Sequence, residues 1–156
     1  MIVVKRRGLY YCAIGFGAGR LPIMPGTYGT LVGMMFYLPL ALLPLPVYLL
    51  LTLGAIVVGI PICRYGAEQL GCHDHPGIVW DEIAGFLVAM IAVPLSLSFI
   101  LAGFVLFRLF DIVKPWPICW LDRKVPGGIG MMLDDILAGA ATCGCLHGMV
   151  YAGWLV

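Results

Sequence analysis

The sequence predicts an all-α protein, a polytopic membrane bundle of about five short crossings with a polar site on one face. Three observations predict it. Hydrophobic residues make up 62% of the chain and mean hydropathy is +1.05, against roughly 45–50% apolar residues in ordinary soluble domains. The nine Lys and Arg and the eight Asp and Glu residues all fall within 5–20, 64–82 and 108–135, so 21–63, 83–107 and 136–156 carry no formal charge. Those uncharged stretches are dominated by Leu, Ile, Val, Met, Phe and Ala and are broken by proline rather than by polar loops. A length of 156 residues fits one domain spanning 1–156. Net charge +1 gives no field of the kind that draws nucleic acid, so no nucleic-acid partner is expected. A homo-oligomer is compatible with the composition.

The elements follow in chain order. Lys5, Arg6 and Arg7 precede a short, glycine-interrupted run through 15–19 to Arg20 and Pro22. That run lacks the continuous apolar core and small-residue cleavage site of a signal peptide. It is expected to be a retained surface segment, its basic triplet suited to anionic headgroups. Residues 21–63 are long enough for two crossings of about 20 residues. Pro44-Leu45-Pro46 divides them into 28–43 and 47–63, since proline ends helices.

Residues 83–107 admit one long helix or two short ones split at Pro94-Leu95-Ser96-Leu97-Ser98. A continuous helix would hold Asp81 and Asp111 about 45 Å apart, on opposite faces of a bilayer. A hairpin returns them to one face and is preferred. Each arm of about 14 residues covers only about 21 Å of a roughly 30 Å core, so the arms are expected to run on into the polar motifs. Residues 136–156 form the last crossing. All basic residues then lie on one side, the cytoplasmic side under the positive-inside rule.

That face gathers Glu68, Asp74, Asp81, Glu82, Asp111, Asp122, Asp134 and Asp135. Asp81-Glu82 is expected to open the third crossing, Asp111 to close the fourth and Asp134-Asp135 to open the fifth. Acids at helix starts have a plain explanation in capping and the helix dipole. Two adjacent pairs plus Asp111 at one depth repel one another unless a cation intervenes, and oxygen-rich clusters suit Mg2+. Arg108 and Lys114 flank Asp111 at spacing three, and Arg123-Lys124 follow Asp122. These are either ordinary ion pairs or a clamp for a phosphoryl group. His73-Asp74-His75 either supplies a proton donor or caps the helix after Pro76. Gly127-Gly128-Ile129-Gly130 is expected to be a loop before Asp134, placing backbone N–H groups near a phosphate.

Other features have bland readings. Cys12, Cys63, Cys72, Cys119, Cys143 and Cys145 show no paired metal-ligand spacing and are expected to be small buried hydrophobes, and zinc at Cys72, His73 and His75 is set aside. His147 is expected to be a hydrogen-bonded packing residue. Trp80, Trp116 and Trp120 flank the polar motifs as headgroup-level anchors. A channel or transporter for a divalent cation or protons is the rival class. It would need polar residues along a whole crossing, and the outer halves of the crossings have essentially none beyond Thr52, Thr142, His147 and the Ser96/Ser98 turn.

The segments GFGAGRLPIMPGTYGTLVG at 15–33, HDHPGIVWDEIAG at 73–85 and FRLFDIVKPWPICWLDRKVPGGIGMMLDDILAG at 107–139 occur in that order. Together they resemble the phosphatidylglycerophosphatase A family of bacterial membrane phosphatases. The signature segments of other lipid-phosphate enzymes, such as Lys-x6-Arg-Pro, are absent. The resemblance implies an all-helical enzyme of the inner membrane, with its active site facing the cytoplasm. It implies Mg2+-dependent removal of the terminal phosphate of the membrane phospholipid phosphatidylglycerophosphate, giving phosphatidylglycerol. Site roles are expected as follows. Asp81, Glu82, Asp134 and Asp135 hold metal, and Arg108, Lys114, Arg123, Lys124 and Thr27 bind phosphate. Asp81, Asp111, His73, Asp74 and His75 serve catalysis.

Overall fold

Proline and glycine set where the helices begin and end. The structure, a computed structural model, describes residues 2–72 and 75–154, with side chains over 7–72, 75–120 and 124–154. Helix α1 (Ile2–Ala13) leads into a 3-10 segment at Gly15–Arg20, where Phe16 and Gly17 take φ of 58° and 109°. Helix α2 (Pro25–Leu40) starts with proline at its first position, after Met24 at φ 52°. Helix α3 (Leu45–Leu70) follows Pro44 and ends at left-handed Gly71, φ 67°. Helices α4 (Trp80–Ala89) and α5 (Leu97–Val113) are separated by the Pro94 turn, and Ser96 caps α5 by accepting from the Phe99 N–H. Short α6 (Ile118–Lys124) and long α7 (Gly127–Tyr151) complete the chain. No strand occurs among the described residues.

The breaks at Pro44 and Pro94 fall where the sequence places them, and the helices do not clearly make five crossings. Among the described residues, only α3, with 26 residues, and α7, with 25, are long and apolar enough to cross a membrane. At 1.5 Å per residue they reach about 39 Å and 37 Å. Helix α4 has 10 residues, about 15 Å, half of a bilayer core. It is also the wrong kind of helix to face lipid: from Ile83 to Ala89 every residue is buried. Helix α4 is the inner helix of the bundle, packed by α2, α3, α5 and α7.

The close fit depends on small residues. A Cβ on Gly85 would meet the Asp135 carbonyl at 2.7 Å and the Phe107 ring at 2.8 Å, and one on Gly139 would strike the Gly85 carbonyl. Backbones of α4 and α7 can approach this closely only without side chains there. Beside this crossing the core is aromatic, with Tyr37, Tyr48, Phe86 and Phe107 meeting edge to face at centroid distances of 6.1 to 6.3 Å. Outward faces are apolar too, including Leu31, Met35 and Leu38 on α2 and Leu101, Val105 and Leu109 on α5.

Two further expectations are corrected. Gly127-Gly128-Ile129-Gly130 is not a loop but the first turn of α7, because Gly128 must pass the Ile60 carbonyl and Gly130 the Val125 carbonyl at distances a side chain would obstruct. Asp134-Asp135 therefore does not open the last helix at residue 136. It lies about two turns inside it. Trp80 is not an exposed anchor: it is part-buried, its Nε1–H donating to the Ala55 carbonyl at 3.0 Å, whereas Trp116 and Trp120 are exposed.

Candidate active site

Helix geometry brings acids from two helices together. Asp81 and Glu82 occupy the first turn of α4, and Asp135 faces them from α7. One carboxylate oxygen from each lies within 4.8 Å of the others. The α4/α7 crossing at Gly85 and Gly139 sits one turn from these acids and sets their separation. Asp81 and Asp135 are buried, and Glu82 keeps 13% side-chain exposure.

The internal bonds of this group are few. Asp81 Oδ1 accepts from the Glu82 N–H at 3.2 Å. Glu82 Oε2 and Asp135 Oδ1 are buried without a hydrogen-bond partner. Buried acids this close repel, and a buried oxygen without a donor costs on the order of 1–3 kcal/mol. Three carboxylates, two of them with an unpartnered buried oxygen, are a donor set for a hard divalent cation, which relieves both penalties. The residues present fit such an ion.

Positive charge arrives from α5. Arg108 Nη1 donates to Asp111 Oδ2, three residues on, and lies 3.9 Å from Glu82 Oε1. Its Nε–H is buried and unpartnered. Helix α5 ends at Lys114, which takes φ 42°, and Lys114 Nζ donates to Asp134 Oδ2. Asp134 Oδ1 also accepts from the Asp135 N–H at 3.1 Å. Asp134 thus faces Lys114, while its neighbour Asp135 faces the α4 acids.

Helix α2 supplies the third side through Gly26 and Thr27. A Cβ on Gly26 would run into Glu82 Oε1 and approach the Arg108 guanidinium nitrogens at 3.0 and 3.1 Å. Thr27, in the first turn, has a buried Oγ1 without a partner. No side chain caps this helix start. Pro25 brings no N–H and the Thr27 N–H donates to the Met24 carbonyl at 2.9 Å, so what this start offers an anion is the Thr27 hydroxyl and the positive end of the helix dipole. Sequence reasoning placed Thr27 in the site but overlooked Gly26, whose place in the PGT segment was the available signal.

Other expected site residues lie elsewhere or beyond description. His75 lines a cleft with Tyr10, Arg20, Pro25 and Leu70, and its Nδ1 accepts from the Gly77 N–H at 3.0 Å. Lys124 Nζ stands 4.9 Å from the centroid of the Trp120 ring. His73 and Asp74 lie outside the described residues, as do the side chains of Asp122 and Arg123. Glu68 pairs with Arg64 on the exposed side of α3. All six cysteines are free but only Cys63 is fully buried, with Cys72 and Cys145 exposed. His147 is hydrogen-bonded to the Ile91 carbonyl at 3.0 Å, although on an exposed face.

Fold and site together define an all-helical protein, carrying two helices of membrane-spanning length, with a buried centre able to hold a cation and an anion side by side. The family model for phosphatidylglycerophosphatase A matches residues 11–150, and the chain belongs to that family. Among curated relatives, phosphatidylglycerophosphatase A of Escherichia coli K12 is 44% identical over 136 residues, 86% of this chain and 79% of the relative. The protein of the same name from Haemophilus influenzae Rd is 42% identical over 132 residues, covering 83% of this chain and 81% of its own. No solved structure matches the chain significantly.

Proposed function

We propose that this chain is a Mg2+-dependent phosphatidylglycerophosphatase, removing the terminal phosphate of phosphatidylglycerophosphate at the cytoplasmic face of a bacterial inner membrane. The observation that carries it is the convergence, in a chain of this family, of Asp81, Glu82 and Asp135 beside Arg108 and the open start of α2. Mg2+ would be held by those three acids, with Asp134 adjoining. When bound, it supplies positive charge against the phosphoryl oxygens.

The chain's own groups account for the rest. Arg108, held by Asp111, donates to the phosphoryl oxygens, and its Nε–H is the donor left over for that purpose. The Thr27 hydroxyl, at the positive end of the α2 dipole, takes a remaining oxygen. Lys114, Arg123 and Lys124 add positive charge around the headgroup. Water attacks phosphorus in line as the bond to glycerol breaks; the proton the water gives up passes to a site carboxylate, and the departing glycerol oxygen takes one from protonated His73 or His75. Because the Gly77 N–H donates to His75 Nδ1, Nε2 is the nitrogen through which His75 can exchange a proton.

Apolar outward faces on α2, α3 and α5 support insertion of the whole bundle among lipid, with the basic stretches on the cytoplasmic side. The test is phosphate release from phosphatidylglycerophosphate by the purified protein in detergent. Release with Mg2+, its loss with EDTA, and its loss in folded Asp135→Asn and Glu82→Gln proteins are the expected results. Full activity in both variants would sink the metal assignment. No release by the unaltered protein would sink the function.

A further inference from the structure

A cleft of about 540 Å³ separates α2 from the 3-10 segment at Gly15–Arg20. Its walls are Phe16, Ala18, Val32, Met35, Phe36 and Pro39, with Gly15 at its base. It is as large as many ligand pockets, which run from roughly 300 to 1,000 Å³, and no charged side chain lines it. We propose that this cleft seats one acyl chain of the lipid whose phosphate lies at the start of α2. The proposal rests on the lipid-phosphatase function above.

The cleft and the charged site share their walls. A Cβ on Gly15 would contact Val79 and Ile83, the residues that bracket Trp80, Asp81 and Glu82. Helix α2 touches Glu82 and Arg108 at Gly26, and the same helix lines the cleft further along. From Thr27, Val32 lies about 7.5 Å along the axis and Pro39 about 18 Å. One leaflet of a bilayer is about 15 Å deep, so a chain attached to a headgroup at Thr27 has the reach to fill the cleft.

Phe16 forms the outer lip. It holds φ 58°, a left-handed conformation that costs a bulky residue of order 1–3 kcal/mol, yet the residue is 58% exposed. The ring is braced by Phe36 at 6.0 Å and Trp80 at 6.5 Å between centroids. Bilayer and cleft are equally apolar, so moving a chain between them gives no hydrophobic gain. What the cleft contributes is orientation: a seated chain fixes the position of the headgroup over Arg108.

The experiment compares dioleoyl and dihexanoyl phosphatidylglycerophosphate as substrates in detergent. Val32→Trp and Met35→Trp fill the cleft, and Leu50→Trp, on the exposed face of α3, controls for added bulk. Each cleft variant is expected to lower kcat/KM on the long-chain substrate relative to the short-chain one by about tenfold or more, with Leu50→Trp leaving the ratio unchanged. In parallel, phosphatidylglycerophosphate carrying a photoreactive acyl chain should label the cleft residues, and unlabelled phosphatidylglycerophosphate but not phosphatidylcholine should compete. An unchanged ratio in both cleft variants, or labelling that either lipid displaces equally, overturns the acyl-chain site and leaves only bulk lipid contact. If the unaltered protein hydrolyses neither substrate, the function itself has failed rather than the cleft.

Discussion

Arg108 Nη1 on α5 lies 3.9 Å from Glu82 Oε1 on α4 while donating to Asp111 on its own helix. Glu82 therefore meets Arg108 with one oxygen and keeps the other, Oε2, buried and unpartnered beside Asp81 and Asp135. One residue joins the cationic half of the site to the acidic half. A lysine at 108 could not reproduce this, since it lacks the planar fork that reaches two groups at once. Arg108→Lys is expected to reduce kcat/KM by roughly 10²-fold, the scale of losing one donor to developing charge. Steady-state phosphate release measures it, and activity within threefold of the unaltered protein would contradict the assignment.

Clustered acids make stability and metal binding pull in opposite directions. In EDTA, Asp135→Asn removes one repelling charge and is expected to raise the melting temperature by about 2–4 °C, corresponding to about 1 kcal/mol. Adding Mg2+ should raise the melting temperature of the unaltered protein and leave that of Asp135→Asn unmoved. Thermal unfolding in detergent decides the point. Equal Mg2+ stabilisation of both proteins would show that Asp135 is no ligand.

Gly26 is small because Glu82 and Arg108 occupy the space of its side chain. Gly26→Ala is expected to displace both and to cost roughly 10²-fold in activity, as a shift of about 1 Å at a reacting centre can. Circular dichroism should show unchanged helix content. Unaltered kinetics would mean that the α2 start plays no part in the site.

Gly139 stands against the Gly85 carbonyl where α7 crosses α4. Gly139→Val overpacks that crossing and is expected to destabilise the protein by about 1–3 kcal/mol. Because Asp135 and Asp81 sit on the two helices so separated, apparent Mg2+ affinity should weaken with it. A variant that loses stability while binding the ion as before would uncouple the crossing from the site.

Much of this was legible in the sequence, for reasons that differ by element. Pro44 with Pro46, and Pro94 with Ser96 and Ser98, mark breaks that could be placed without tertiary information, whereas the lone Pro39 and Pro61 are carried inside α2 and α3. Convergence of Asp81 with Asp135 followed from the charge distribution and the return of the chain at Pro94. What escaped was set by packing. Glycine at 127, 128 and 130 reads as loop from local propensity, but the Ile60 and Val125 carbonyls demand small residues at 128 and 130 in a helix there, and Gly127 starts that helix at φ 82°. Crossing length failed for α4 because hydrophobicity does not distinguish a helix surrounded by protein from one surrounded by lipid. Trp80 likewise looked like an interfacial residue until its N–H found the Ala55 carbonyl.

The acids two turns inside α7 give that helix two different lengths. As a hydrogen-bonded rod it runs from Gly127 to Tyr151, yet its uninterrupted apolar part begins only at Ile136. That part covers about 24 Å, against about 37 Å for the rod. In a bilayer with a core of roughly 30 Å the difference is hydrophobic mismatch, relieved when the surrounding lipid thins at the acidic end. Under the proposed lipid-phosphatase function, a lipid standing in that dip would have its headgroup lowered toward Asp135, and the membrane rather than a moving segment of protein would carry the phosphate part of the way in.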